Sequence, residues 1–236
     1  YRLTPAAAAL ISRAKLIFMV GPGLEGFLAR PLAVLAKKAR IVTLAEAPGV
    51  RLAPPRGENR ARQAYDFHIW LDPANARAIV LAAVGALNKA DPANASIYTA
   101  NGQKLDRRLA ALGRDLRHRL APLGKQPFLV YHNAFAYLGR AFGLDVAGSL
   151  AGPAGAPMSV KRMRRLRGLI RSRRIRCLFL GPFQSPDSVR ALTDGLDVSL
   201  GVLDPFGMKM EPGPALYFRM MENLARALEG CLSPAG

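Results

Sequence analysis

Short runs of consecutive apolar residues alternate along this chain with longer stretches of helical spacing. Leu16 to Val20 is one unbroken run, stopped by Gly21-Pro22-Gly23, and Ile41-Val42-Thr43-Leu44 is the next. Runs this short, bounded by turn residues, predict buried strands. Around them, Pro5 to Arg13 and Leu24 to Ala36 carry helix formers with an apolar face. Pro5 suits a first turn, where its missing N–H has no intrahelical partner to lose. Such alternation predicts a parallel sheet covered on both faces by helices.

Pro48 to Asp66 has prolines, glycines and arginines without a period, which marks a surface loop. Asp72-Pro73 then starts a helix to Lys89, and Asp91-Pro92 repeats the start. The apolar positions Ile97, Leu105, Leu109, Leu112, Leu116 and Leu120 keep helical spacing to the Pro122 break. That is about thirty residues, or roughly 45 Å, which outruns one small lobe and is expected to brace two. Beyond it the βα grammar resumes. Pro127 to Tyr131 reads as a strand ending at His132, Asn133 to Phe142 as a helix, and Gly148 to Pro157 as a Gly/Pro loop. A basic helix follows from Ser159 to Ser172, then a strand at Cys177 to Leu180 and a helix from Asp187 to Asp194. Val198 to Leu203 is a strand ending at Asp204-Pro205-Phe206-Gly207, and Ala215 to Leu228 a last helix. The fold class is α/β: two βα lobes with mostly parallel sheets joined by one long rigid helix. The N-terminal lobe is expected over 1–90, the linking helix over 91–123 and the C-terminal lobe over 124–236.

With 236 residues, half of them apolar and a fifth charged, the chain has room for one large domain or two small lobes with their own cores, and it is not composed like a disordered one. The formal charge of +18 favours anionic surfaces, and Lys161 to Arg176 contributes nine positive residues and no acid. Composition alone leaves lipid, nucleic acid and an acidic partner open. The longest apolar stretch, Ile79 to Leu87, is far short of the roughly 20 residues that span a bilayer, so no transmembrane helix is expected. The opening Tyr1-Arg2-Leu3-Thr4-Pro5 lacks the basic and apolar regions of a signal peptide, so one is expected to have been removed or to lie in a missing front. Cys177 and Cys231 are too far apart for a CxxC motif. A disulfide and a pair of buried thiols both fit their number.

Three polar residues share one placement: His68 after the long loop, His132 at a strand end and Asp204 at another. Ligands of open α/β sheets bind beyond the carboxyl ends of strands, so these residues can converge on one crevice. Two imidazoles and a carboxylate suit zinc, which takes nitrogen donors in tetrahedral sets. Against this, a lone histidine at a strand end is more often a hydrogen-bonded structural residue, and an aspartate before proline more often a turn former. His118, amid Arg114, Arg117 and Arg119, reads as a solvated surface residue. Hydrolase and P-loop motifs are absent from the sequence. Gly21-Pro22-Gly23-Leu24-Glu25-Gly26 matches a dinucleotide fingerprint only superficially and is better read as a strand-to-helix turn.

Several segments, in order, resemble the periplasmic zinc-binding solute-binding proteins of ABC importers, in the cluster with a rigid linking helix. They are Tyr1 to Pro5, Ala14 to Glu25, His68-Ile69-Trp70-Leu71-Asp72-Pro73, Val130 to Tyr137, and Gly201 to Gly207. The resemblance implies a periplasmic, monomeric protein that is not an enzyme. It would capture Zn2+, with Mn2+ the less favoured ion, in an interlobe cleft and deliver it to an ABC importer permease, without binding nucleic acid. It implies metal binding by His68 from the N-terminal lobe, His132 from the C-terminal lobe and Asp204. It also implies a disulfide between Cys177 and Cys231. The family's first histidine would precede Tyr1, so a further ligand and the first strand are expected ahead of it. The chain departs from the pattern in having no histidine between Arg51 and Phe67, and Asn133 where an aspartate is common. These departures keep a second reading open: the same fold without metal, binding an anionic partner through its basic surface. The helix at 161–176 is accordingly read either as a solvated face over a core stripe of Met163, Leu166, Leu169 and Ile170, or as a docking site for anionic lipid or an acidic permease rim.

Overall fold

The computed structural model describes residues 2–54, 65–150 and 159–233, so parts of the expected loops at Pro48–Asp66 and Gly148–Pro157 lie outside the described residues. The chain forms two compact units. Tyr1–Leu52 groups with Pro73–Ala111, and Ala53–Asp72 groups with Leu112–Gly236.

In the first unit the order is α1 (Pro5–Arg13), β1 (Leu16–Met19), the short α2 (Pro22–Glu25), α3 (Ala29–Leu35), β2 (Arg40–Thr43), α4 (Pro73–Ala90) and the beginning of α5 (Ala95–Leu120). The Thr4 hydroxyl caps α1 by accepting the Ala7 N–H at 3.2 Å. β1 and β2 run parallel, from Leu16 opposite Arg40 to Met19 opposite Thr43, and α4 packs on β1. Fully buried Asn75 accepts the Arg51 N–H at 2.8 Å and donates to the Arg51 carbonyl at 3.2 Å, fixing the chain after β2 to α4. The Glu25 carboxylate accepts the N–H groups of Val20 and Gly21 at 3.0 and 2.9 Å. The carboxylate closes the turn back on the end of β1, so the Gly21–Gly26 segment is the plain strand-to-helix turn expected of it.

The second unit contains β3 (Phe128–Val130), α6 (Ala136–Phe142), β4 (Val146–Ser149), α7 (Val160–Arg173), β5 (Cys177–Leu180), the short α8 (Arg190–Thr193), β6 (Ser199–Val202) and α9 (Leu216–Leu232). Its strands are all parallel in the order β4-β3-β5-β6. From β3 the chain steps outward to β4, then returns across β3 to β5 and on to β6. The connections leaving β3 and β5 therefore diverge, and this switch point opens a crevice at the carboxyl ends of those strands. β3 and β5 are buried on both faces, which is why each reads as a continuous apolar run. On one face Leu129, Leu178 and Leu180 pack with Leu166 and Ile170 of α7, with Met163 and Leu169 at the margin, as the apolar stripe of α7 predicts. The Phe128 and Phe179 rings meet edge to face at 5.4 Å.

β4 overlaps the start of the segment expected to be a Gly/Pro loop. Val146-Ala147-Gly148-Ser149 is too poor in large apolar residues to read as a strand, and it is held by pairing with β3 at the sheet edge. Cys177 and Cys231 form a disulfide that ties β5 to α9. Closing a loop of 54 residues removes about 4 kcal/mol of unfolded-state freedom in the chain-entropy model. α5 and α9 are joined by Arg119, whose guanidinium donates to both oxygens of Glu229 at 2.9 Å and to Glu222 at 3.1 Å. That pairing holds the Glu229 carboxyl below the usual carboxylate range. His118 is exposed, as expected. No described helix is long and apolar enough to cross a membrane.

The expected first lobe ran unbroken to residue 90. In the structure Ala53–Asp72 groups with the second unit, and α5 contributes to the first unit up to Ala111 and to the second from Leu112.

Gly201 of β6 faces Phe179, and a Cβ there would stand 2.6 Å from that ring. Gly201→Ala is expected to cost about 1–3 kcal/mol through overpacking, read as a lower urea midpoint. An unchanged midpoint would mean that the ring turns aside without strain.

Candidate metal centre

Everything that places His68 is anchored within the second unit. Tyr137, on α6, is buried and its hydroxyl is engaged twice: it accepts the Ala53 N–H at 3.0 Å and donates to the Asp66 carbonyl at 2.6 Å. The Asp66 N–H in turn donates to the Ala53 carbonyl at 2.9 Å. These three bonds close the two ends of the loop on one phenol. Burial pushes the Tyr137 hydroxyl up to about 12, so it stays protonated and keeps donating at any physiological pH.

The chain then passes His68 into a 3-10 turn, Ile69–Leu71, whose Ile69 and Leu71 side chains are fully buried beside α6. Burying two such side chains contributes roughly 2 kcal/mol each. A second anchor follows at Trp70. Its indole N–H donates to the Pro205 carbonyl at 2.8 Å, and its own carbonyl accepts the Tyr217 hydroxyl of α9 at 2.8 Å. The rings of Trp70 and Phe206 lie 5.3 Å apart and flank His68 at 5.4 and 6.0 Å.

His68 is thereby presented to His132, which follows β3 at the switch point. The two Nε2 atoms face each other at 3.3 Å. The buried Asp66 carboxylate accepts the His68 backbone N–H at 2.8 Å and lies 2.7 Å from its Nδ1. A carboxylate can only accept, so Nδ1 carries a proton, which leaves Nε2 as the nitrogen that can offer a lone pair to an ion. Burial, and then the neighbouring His68, lower the pKa of His132, with Asp66 opposing. The His132 ring is thereby favoured in its neutral form. Two nitrogens, each about 2.05 Å from a tetrahedral zinc, stand about 3.3 Å apart. The spacing also suits a hydrogen bond from His132 to His68 when no ion lies between them.

Asp204 sits on the same rim, after β6, but its Oδ1 accepts the Phe206 N–H at 3.1 Å, so it serves as a turn former. Among the described residues no three His, Cys, Asp or Glu side chains gather into a metal-holding group. The structure thus brings together His68 and His132 of the three expected residues. His68 does so from the second unit, where the resemblance implied the N-terminal lobe. Asp66 and Tyr137 were not singled out from the sequence. The Asp-x-His spacing at 66–68 was the available sign of the first, and nothing local marked the second. Beside His132 opens an apolar cavity of about 340 Å3 between Phe135, Phe183, Leu203, Phe206 and Met208.

A family model described as zinc-uptake complex component A, periplasmic, matches residues 1–231. The chain is 31% identical, over 272 aligned positions, to the high-affinity zinc uptake system protein ZnuA of Brucella suis, covering 99% of this chain and 81% of that protein. A crystal structure of ZnuA superimposes with a TM-score of 0.82 at 21% identity, covering 99% of this chain and 86% of that one. A manganese-bound periplasmic metal binding protein from Candidatus Liberibacter asiaticus gives 0.78 at 22% identity, covering 98% and 85%. At these identities the two structural likenesses concern the fold.

Tyr137→Phe would leave the Ala53 N–H and the Asp66 carbonyl without their partner. A loss of about 1–3 kcal/mol is expected, measured by urea unfolding. Wild-type stability in this variant would show that the clasp contributes nothing.

Proposed function

The chain belongs to the periplasmic zinc-uptake complex component A family, and from that membership we propose that it holds its Zn2+ cargo between the Nε2 atoms of His68 and His132. It is the periplasmic solute-binding component of an ABC importer, not an enzyme, and its partner is the importer's permease. It captures and delivers, and no bond of the cargo is made or broken beyond coordination.

The observation that carries the assignment of the two ligands is the 3.3 Å separation of the facing Nε2 atoms, the edge length of a tetrahedral zinc site. Asp66 supports it by fixing the His68 tautomer and adding negative charge behind the ring. Nitrogen donors favour Zn2+ over Mn2+, which prefers oxygen. Asp204 is the third proposed ligand, and with Oδ1 accepting the Phe206 N–H it would join through Oδ2. The reading without metal is not favoured, because two imidazoles with their Nε2 atoms facing are what that reading would have dispensed with. The protein acts as a monomer, and its basic surface is drawn to anionic lipid.

Zinc titration by calorimetry at neutral pH tests the assignment. His68→Ala or His132→Ala is expected to remove the binding heat, and Asp66→Asn to weaken affinity by roughly 10–100-fold. Asp204→Ala should have the smaller effect. Full zinc affinity in either histidine variant would end the proposal.

A pH series gives an independent check. The pKa of His132 is lowered, so its lone pair remains available below the ordinary histidine value of about 6.5, and zinc should remain bound there. The apo protein has the same sign. The unfolded chain takes up this proton near 6.5 and the folded chain does not, so stability is present above about 6.5 and falls as pH drops towards the lowered value. Zinc affinity that collapses above pH 7 would contradict this.

A further inference from the structure

We propose that the exposed face of α7 is a docking surface for the anionic headgroups of a phospholipid bilayer. The proposal deepens the attraction to lipid read above and rests on the periplasmic, membrane-partnered function, but it uses none of the metal-site residues.

Not all the cations of this helix are available. Arg167 donates to the carbonyls of Ala191, Leu192 and Asp194 and so caps α8. Arg173 pairs with Asp145 at 2.7 Å, and Arg162 reaches the Ser149 carbonyl at 3.2 Å. Lys161, Arg164, Arg165, Arg171, Arg174 and Arg176 are exposed and form no ion pair among the described residues. No Asp or Glu occurs in the sequence from Val146 to Pro186, so the helix itself carries no acid.

Their placement is ordered. At about 100° per residue, Lys161, Arg164, Arg165 and Arg171 fall with Gly168 and Ser172 on one side of the helix, opposite buried Leu166 and Ile170. The buried stripe fixes the helix to the sheet, so the charges stand on a rigid platform. Beyond Val160 at its first turn, that face carries no large apolar residue, which favours contact with headgroups over insertion into acyl chains. Arg165 and Ser172 also line a cavity between β4 and α7 that Asn133 and Ser149 share, and these donors suit phosphate oxygens. A flat array of negative headgroups is the partner that a rigid, one-signed and non-inserting face fits.

The test is co-sedimentation with vesicles of phosphatidylcholine alone or mixed with phosphatidylglycerol, at low salt and at about 150 mM salt, where screening sets in beyond about 8 Å. The wild-type chain is expected to bind only the anionic vesicles, and more weakly at the higher salt. The variant R164E/R165E/R171E should lose at least tenfold in partitioning, since each basic residue near such a surface is worth roughly fivefold. The control K104E/R107E/R114E carries the same net charge change on exposed positions of α5 and should stay within about twofold of wild type. Equal losses in the two variants would assign the effect to overall charge. Equal binding to both lipids, or to neither, would also overturn the proposal, the last leaving the face to an acidic protein rim. Zinc titration of the α7 variant should be unchanged, so a failure here is distinguishable from a failure of the metal site.

Discussion

One phenol hydroxyl decides where the segment carrying His68 goes. With Tyr137 accepting from Ala53 and donating to Asp66, the loop that would otherwise continue the first unit is bound at its base to α6. Asp66 is thereby set in a buried position from which its carboxylate can hold both the backbone and the ring of His68. The order of dependence runs from phenol to carboxylate to imidazole. Each step is a hydrogen bond to a group that would be costly to leave unpaired in its surroundings. The Trp70 contacts with Pro205 and Tyr217 then prevent the segment from pivoting about the first anchor.

The sheet supplies the other half of the site. Because β3 lies where the strand order reverses, the residue emerging from it enters an open crevice rather than the next crossover. His132 occupies that position, half in the apolar wall formed by Phe135 and Phe206. That wall covers one side of the ring while the residue keeps an exposed edge, and burial is the leading cause of its lowered pKa. A neutral, oriented imidazole opposite a second one is a good receptor for a dication even on a chain whose overall charge is +18. At physiological salt the distant cations are screened, and the buried carboxylate of Asp66 is close.

What the sequence made legible follows from burial. Cys177–Leu180 was readable to the residue, because a strand covered on both faces must be apolar throughout. β4 was not, because an edge strand can be held by backbone pairing with side chains as slight as those of Ala147 and Gly148. His68 was visible through its place after the long loop, His132 through its place at a strand end, and a bridge between Cys177 and Cys231 through family resemblance. The grouping of Ala53–Asp72 was out of reach. It is determined by partners 71 and 147 residues away in the chain, which no local period records. The turn-forming role weighed for Asp204 is the one it has in this conformation.

The interrupted first unit has a consequence for biogenesis. A nascent chain emerges from the ribosome in order, so the stretch Ala53–Asp72 is made well before the partners it needs at Tyr137, Pro205 and Tyr217. The first unit's described stretches end at Ala111, yet between them lies a segment that groups with the second unit. His68 therefore remains without its anchors until the chain has been made through Tyr217, and its meeting with His132 comes late. Neither unit can be excised as a single continuous stretch without taking part of the other.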